Sequence, residues 1–219
     1  MSIKIDLKIF LFAIIFCFTK QIEIYSILML LAIIHELSHL IAGLIIKYKP
    51  YSINITPFGL QIEFKTKCED YNKKIIKGSL LCLKRIFIAV IGPITNIVIG
   101  LTILFGKLNV RQELWVYSNF IIGIFNLLPI YPLDGGRILK EILHIFLGLE
   151  KSYIYINKVA NATMIIFTIV CSIAILYLKN IALFIINIYL WTLVASENRK
   201  FEIWQNVREK LKKSMSEYW

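Results

Sequence analysis

Charged residues are scarce in this chain of 219 amino acids. They make up 18% of the sequence, whereas 58% of the residues are hydrophobic and the mean hydropathy is +0.71. Aspartate and histidine occur only three times each. The four cysteines are scattered without a CxxC pair, so neither a disulfide framework nor a cysteine-based zinc site is indicated. This composition argues against an ordinary soluble domain and predicts a membrane protein.

Several apolar runs approach the roughly 20 residues that a helix needs to cross a ~30 Å hydrocarbon core. They predict an all-α polytopic membrane protein with about six transmembrane helices in residues 1–195, followed by a cytoplasmic amphipathic tail, 196–219. Residues 51–64 instead alternate with a period of two, which predicts a small cytoplasmic β-hairpin after the second helix. The six runs are 9–19, 24–46, 86–105, 114–133, 159–178 and 181–195.

The net charge of +11 is distributed unevenly along this predicted topology. With the N-terminus placed in the cytoplasm, 21 of the 25 Lys and Arg residues fall on the cytoplasmic side. Cytoplasmic segments of membrane proteins carry such an excess. We therefore predict cytoplasmic N- and C-termini, contacts of the basic segments with the lipid bilayer, and no nucleic acid partner.

Two histidines and a glutamate interrupt the second apolar run, in the motif HELSH (35–39). Residues at i and i+4 face the same side of a helix, so the imidazoles of His35 and His39 can reach one metal ion. Glu36 can act there as a general base toward a water molecule. The alternative is a histidine pair satisfied by hydrogen bonds between helices, with a neutral Glu36. Because ionisable groups inside a membrane are costly and mark functional sites, the metal site is favoured.

A catalytic zinc ion usually takes three protein ligands, and Asp134 is the candidate for the third. It is the one aspartate at the end of an apolar run, in NLLPIYPLDGGRIL (126–139). The prolines and the Gly-Gly pair deform the backbone, which at membrane depth is tolerated only inside protein or beside a wet cavity. An ordinary Asp-Gly turn at a helix end is the alternative. Counted from the cytoplasmic ends of their runs, His39 and Asp134 lie at similar depth.

Three motifs, in this order along the chain, resemble the site-2 protease family of intramembrane zinc metalloproteases. They are HELSH, GPITN (92–96) and NLLPIYPLDGGR (126–137). The resemblance spans roughly residues 24–140, and the length and the order of the runs are similar more narrowly to sporulation members of the family. Those members generally carry a C-terminal cystathionine-β-synthase (CBS) domain. Only about 24 residues follow the last apolar run here, so no such domain is expected.

The resemblance implies one Zn²⁺ per chain, held by His35, His39 and Asp134, with Glu36 as the catalytic base. It implies hydrolysis of a peptide bond in a membrane-associated pro-sigma factor, pro-sigma-K, during sporulation. It also implies inhibitory membrane partner proteins and a place in the mother-cell side membrane around the forespore.

The residues that contact substrate are less sharply defined. Asn126 and Asn96 contact either the substrate or neighbouring parts of the protein. The hairpin turn at Pro57, Phe58 and Gly59 is either plain structure or part of a strand edge for an extended substrate, and the resemblance favours the edge. A non-enzymatic alternative is a metal-binding membrane transporter or channel, because intramembrane histidine and aspartate also mark ion paths. That alternative requires further polar residues across the membrane, and the last two runs supply few.

Overall fold

Seven helices and three short strands make up the described part of the chain. The computed structural model describes residues 2–5, 8–18, 20–48, 50–56, 59–64, 75–106, 112–178 and 181–217. In chain order the elements are β1 (Ser2–Ile5), α1 (Lys8–Phe18), α2 (Ile22–Ile45), β2 (Pro50–Thr56), β3 (Gly59–Phe64), α3 (Ile75–Phe105), α4 (Gln112–Asn126), α5 (Asp134–Leu147), α6 (Leu149–Leu178) and α7 (Ile181–Glu217). The chain divides into two units, Met1–Leu128 and Pro129–Trp219, and each is described by itself.

A mixed three-stranded sheet replaces the predicted hairpin. β2 pairs with β3 in antiparallel fashion, with Ile53 opposite Ile62, and β1 pairs with β2 in parallel. The predicted all-α class with an isolated two-stranded hairpin is therefore wrong, because the N-terminal strand adds a third member. The alternation along 51–64 could not reveal β1, since parallel strands are joined by a long connection and not by a tight turn. The predicted turn residues Pro57 and Phe58 lie outside the described residues.

Three helices are long and apolar enough to cross a membrane, within the ranges that the structure describes. The second, third and fifth predicted runs correspond to these helices, and the total of about six spans stays a prediction. α1 has 11 residues and α4 has 15, and at 1.5 Å per residue both are shorter than the hydrocarbon core. The predicted fourth run fails as one continuous helix because irregular backbone follows Asn126. The three spans are Ile22–Ile45, Ser79–Phe105 and Leu149–Ile175.

Glycines allow α3 and α4 to pack closely in the first unit. A Cβ atom added at Gly100 would lie 3.3 Å from the Cβ of Asn119. One added at Gly123 would lie 3.2 Å from the carbonyl oxygen of Pro93. Small residues at helix contacts bring backbones together in this way inside membranes. The close approach allows short polar side chains of the two helices to reach each other.

In the second unit, an irregular segment leads into α5. The peptide bond between Tyr131 and Pro132 is cis, and the N–H of Leu133 donates to the carbonyl of Ile130 at 2.7 Å. A Cβ atom added at Gly136 would lie 2.5 Å from the carbonyl carbon of Ile130 and 2.7 Å from its oxygen. Glycine at 136 therefore lets the irregular segment pack against the first turn of α5.

The polar end of the chain continues the last helix. α7 has 37 residues, so residues 196–217 extend the same helix that begins at Ile181. The ring centroids of Phe201 and Trp204 lie 6.1 and 5.6 Å from that of Tyr153 on α6. Arg208 forms an ion pair of 2.7 Å with Glu150, also on α6. The helical spacing predicted for the tail is thus observed, whereas the domain boundary at residue 195 stays a prediction.

Candidate metal centre

His35 and His39 lie one helical turn apart on α2, and both are buried. Their imidazole rings meet at 87°, and the two Nε2 atoms are 3.1 Å apart. The i, i+4 spacing explains this convergence, because such residues share one face of a helix. Both residues are 2% exposed, so the nitrogens meet away from bulk solvent.

The other ring nitrogen of each histidine contacts an oxygen atom. His39 Nδ1 lies 2.7 Å from the carbonyl oxygen of Ile88 on α3. His35 Nδ1 lies 2.9 Å from Oδ1 of Asn96, a fully buried residue of the same helix. A carbonyl oxygen can only accept a hydrogen bond, so Nδ1 of His39 donates. Whether Nδ1 of His35 also donates depends on which atom of the Asn96 amide faces it.

A second asparagine fixes that amide. Nδ2 of Asn119, on α4, donates to the carbonyl of Trp115 at 2.9 Å, which leaves Oδ1 of Asn119 facing Asn96. Asn96 then donates from Nδ2 to that oxygen at 3.4 Å. Its own Oδ1 therefore accepts from Nδ1 of His35. These hydrogen bonds connect the backbone of α4 through Asn119 and Asn96 to His35 on α2.

These contacts place a lone pair on each Nε2 atom. A neutral imidazole that carries its hydrogen on Nδ1 has an unprotonated Nε2. Two lone pairs that converge across 3.1 Å form a pair of donors suited to one cation. A proton would satisfy them only at the cost of a buried charged imidazolium. A metal ion satisfies both, since two nitrogens bound to one zinc ion at about 2.05 Å and tetrahedral geometry lie about 3.4 Å apart.

Gly92 leaves the space beside these nitrogens open. A Cβ atom at this position would lie 2.5 Å from Nε2 of His39 and 2.8 Å from Nε2 of His35. Any larger residue would occupy the volume toward which both lone pairs point. The glycine of the GPITN motif therefore serves the histidine pair directly, in addition to helix packing. Donor set, tautomers and space together fit a metal such as zinc.

Glu36 and Asp134 complete the predicted set of chemical groups. Glu36 follows His35 on α2 and is half-buried. Asp134 is the first residue of α5, in the second unit, and its side chain is buried. The positive end of the helix dipole favours its carboxylate there, and Arg137 lies 3.8 Å from its Oδ1. The structure brings His35, His39 and Asn96 together in the first unit, and the role of Asp134 as third ligand stays a prediction.

Comparisons with known proteins find similar sequences and a similar fold. Residues 112–171 match the model of peptidase family M50. A zinc metalloprotease of Methanocaldococcus jannaschii is 30% identical over 140 residues, which are 56% of this chain and 38% of that protein. Stage IV sporulation protein FB of Bacillus subtilis is 25% identical over 140 residues, 62% of this chain and 45% of that protein. The fold is similar to that of a site-2 protease from Methanocaldococcus jannaschii, with a TM-score of 0.65, 22% identity and 89% of each chain covered.

The predicted resemblance to the site-2 protease family is confirmed. Part of this chain matches peptidase family M50, its sequence is similar to that of a zinc metalloprotease, and its three apolar helices agree with a membrane protein. The match to the family model includes Asp134 and the irregular segment before it. The chain spans less than half the length of the two curated relatives that it matches.

The predicted substrate residues of this chain have contacts within the protein. Both polar ends of the Asn96 side chain meet other side chains, as described above. Nδ2 of Asn126 donates to the carbonyl of Ile122 at 3.0 Å, one turn earlier on α4. Gly59 begins β3 and pairs with Thr56. Both asparagines thus contact neighbouring parts of the protein, which was one of the two alternatives. Their roles toward a substrate stay predictions.

Asn119 was missed by reasoning from the sequence. It lies in an otherwise apolar stretch, seven residues before Asn126, so the two asparagines lie on the same face of α4. A pair of amides two turns apart in an apolar helix is a signal that could have found it. The carbonyl of Ile88 left no such signal, because a backbone acceptor has no side-chain signature.

Proposed function

We propose that this chain is a zinc-dependent endopeptidase that cleaves a membrane-associated protein. His35 and His39 hold one Zn²⁺ through their Nε2 atoms, and Asp134 supplies the third ligand. The observation that carries the proposal is the pair of converging Nε2 lone pairs, each fixed by a hydrogen bond at the opposite ring nitrogen. Homology to zinc metalloproteases supports it further.

The residues of the chain then divide the work of hydrolysis. When bound, the zinc ion polarises water and the scissile carbonyl. Glu36 accepts the proton of the attacking water and delivers it to the leaving amine. Asn96 and Asn119 hold His35 in the tautomer that presents Nε2. The surrounding apolar helices limit access of bulk water, which strengthens each electrostatic contact inside the site.

The substrate proposed is a pro-sigma factor of the pro-sigma-K type, processed during sporulation. The similarity to stage IV sporulation protein FB supports this assignment. An extended substrate would add to an edge of the β-sheet near Pro57, Phe58 and Gly59, with Asn126 as a further contact. Inhibitory membrane proteins would regulate the enzyme, in the mother-cell side membrane around the forespore. Both termini are proposed to face the cytoplasm.

Co-expression with pro-sigma-K tests this function. Wild type should convert the substrate to a shorter product, and a metal chelator should prevent the conversion. Glu36→Gln should give no product while purified protein keeps one zinc ion per chain, because the substitution removes the base and spares the ligands. Glu23→Gln, at an exposed position in the first turn of the same helix, is the matched control and should process normally.

Two results would contradict separate parts of the proposal. Processing by Glu36→Gln at the wild-type rate would overturn the catalytic mechanism. Chelator-sensitive cleavage of another membrane peptide, with pro-sigma-K left intact, would overturn the substrate and retain the enzyme class. Uptake of metal into proteoliposomes without proteolysis would decide for a transporter.

A further inference from the structure

A cavity of about 210 Å³ lies within the second unit, outside the residues proposed for catalysis. Residues of α5, α6 and α7 line it, together with Tyr131 from the irregular segment. Its wall combines aromatic rings with charged groups. The lining residues that matter here are Lys140, Tyr153, Glu197, Lys200, Phe201 and Trp204.

Lys140 is the charged group of this cavity that lacks a counter-ion. Its side chain is 9% exposed, and its ammonium lies 3.9 Å from the ring centroid of Tyr153 and 4.9 Å from that of Tyr131. The ring faces stabilise the cation but accept no conventional hydrogen bond. Across the described residues, no carboxylate lies within ion-pair distance of Lys140 and no oxygen accepts a hydrogen bond from it.

The second lysine of the cavity is already neutralised. Lys200 forms an ion pair of 2.6 Å with Glu197, and both residues lie on α7. The cavity therefore carries one net positive charge, contributed by Lys140. A buried ammonium with three N–H donors is costly unless an anion approaches it. The cavity thus has the charge and the unused donors of an anion site.

The surroundings indicate the kind of anion. The cavity borders the first turns of α6, where the apolar span Leu149–Ile175 begins. α5 exposes apolar side chains, including Phe146 at 80%, and buries Lys140. An amphipathic helix in water would instead bury its apolar side chains and expose its charged ones. A helix with this pattern lies at a membrane surface, where Tyr and Trp are enriched and lipid phosphates are concentrated. Basic pockets at the cytoplasmic ends of membrane helices bind anionic lipid headgroups.

We propose that this cavity binds one phosphate group through the ammonium of Lys140, and that an anionic phospholipid supplies it. Lysine is a common phosphate ligand, and a phosphate group fits within the cavity volume. The rings of Phe201 and Trp204 would pack against the glycerol part of the lipid. Free inorganic phosphate presents the same chemistry, so the experiment must separate the two sources. The proposal is independent of the proteolytic function.

Native mass spectrometry of the delipidated full chain in detergent provides the test. We expect one phosphatidylglycerol molecule per chain, bound about tenfold more tightly than phosphatidylcholine, and no comparable binding of inorganic phosphate. Lys140→Met keeps the length of the side chain but removes its charge, and should weaken phosphatidylglycerol binding about tenfold. Lys151→Met, at an exposed position of α6, is the matched control and should bind within twofold of wild type.

A second readout guards against misfolding of the Lys140→Met variant. Trp204 lines the cavity, so phosphatidylglycerol should change the tryptophan fluorescence of wild type and leave that of Trp204→Phe unchanged. Lys140→Arg keeps the charge and should retain the fluorescence change. Equal binding of phosphatidylglycerol by wild type and Lys140→Met would overturn the proposal. Lys140-dependent binding of inorganic phosphate alone would overturn the lipid source, and Lys140-dependent binding of an acidic peptide alone would overturn the phosphate assignment.

Discussion

The chemistry of the histidine pair depends on groups that carry no charge. A carbonyl oxygen and two asparagine amides fix where the hydrogens of His35 and His39 lie. Charged partners would do the same at a higher desolvation cost inside a membrane protein. Contacts of this kind typically change metal affinity by about 10- to 100-fold when they are removed. Asn96 therefore offers a direct test at the scale of single residues.

Asn96→Ala should lower zinc affinity about 10- to 100-fold, because Nδ1 of His35 loses its acceptor. Asn96→Asp restores an oxygen acceptor and should keep most of the affinity. Titration with a chromophoric zinc chelator measures both variants without any reference to proteolysis. Equal zinc affinity of Asn96→Ala and wild type would show that the amide does not position the histidine.

Gly92→Ala should abolish zinc binding, since the added methyl group would lie within 2.8 Å of both Nε2 atoms. Gly100→Ala is the matched control in the same helix, where the nearest atom lies 3.3 Å away. Both variants gain about 1 kcal/mol of helix propensity, so a difference between them reports the space around the histidines. Zinc content per purified chain is the measurement, and full occupancy of Gly92→Ala would contradict the account.

Sequence reasoning found the histidines and Glu36 because their spacing follows directly from helix periodicity. It did not find Asn119 or the carbonyl of Ile88. Those groups become neighbours of the histidine pair only through packing of α3 and α4 against α2, which the pattern along one helix does not encode. The GPITN motif was recognised, but the reason for its glycine required the distance from Gly92 to the imidazoles.

At the scale of secondary structure, local patterns were reliable and long-range pairing was not. The alternation matched extended backbone at 51–56 and 59–64, yet the parallel strand β1 was missed because its partner lies about 50 residues away in the sequence. Hydropathy alone joined α4 to the segment that follows it. The prolines at 129 and 132 were visible in the sequence, and the helix indeed ends before them at Asn126.

The start of α5 depends on one glycine. Gly136→Ala would bring a methyl group within 2.7 Å of the backbone of Ile130, and backbone atoms cannot rotate away as a flexible side chain can. The first turn of α5, including Asp134, must then shift. We expect loss of processing together with lower zinc occupancy, assayed on the same preparation. Normal zinc content in an inactive variant would argue that Asp134 acts in another way than as a ligand.

Polar side chains of α6 and α7 form hydrogen bonds with each other. Asn198 donates to Asn161 at 3.1 Å, and Thr168 donates to Asn187 at 3.2 Å. The polar groups of each helix thus find hydrogen-bond partners on the other, as is common between membrane helices. The asparagines that a transporter would use as a path are thus engaged in helix packing, which favours the protease over the transporter.

At the scale of the whole molecule, the distribution of Lys and Arg predicts the orientation in the membrane. The segment 47–85 holds nine basic residues, whereas 106–113 holds two. Basic residues are retained in the cytoplasm, so α2 and α3 should be connected on the cytoplasmic side. The end of α3 should then face the opposite side, and the segments around Gly148 and Glu217 should return to the cytoplasm.

Reporter fusions to full-length and truncated chains test this orientation. Alkaline phosphatase needs disulfide bonds and is active outside the cytoplasm, whereas green fluorescent protein reports the cytoplasmic side. Fusions after Phe64, Gly148 and Glu217 should be fluorescent and lack phosphatase activity, and the fusion after Gly106 should show the reverse. The fusions after Phe64 and Gly106 serve as controls for each other, because α3 lies between them and they should give opposite signals. Phosphatase activity at Phe64 with fluorescence at Gly106 would invert the topology and place the basic segments on the other side of the membrane.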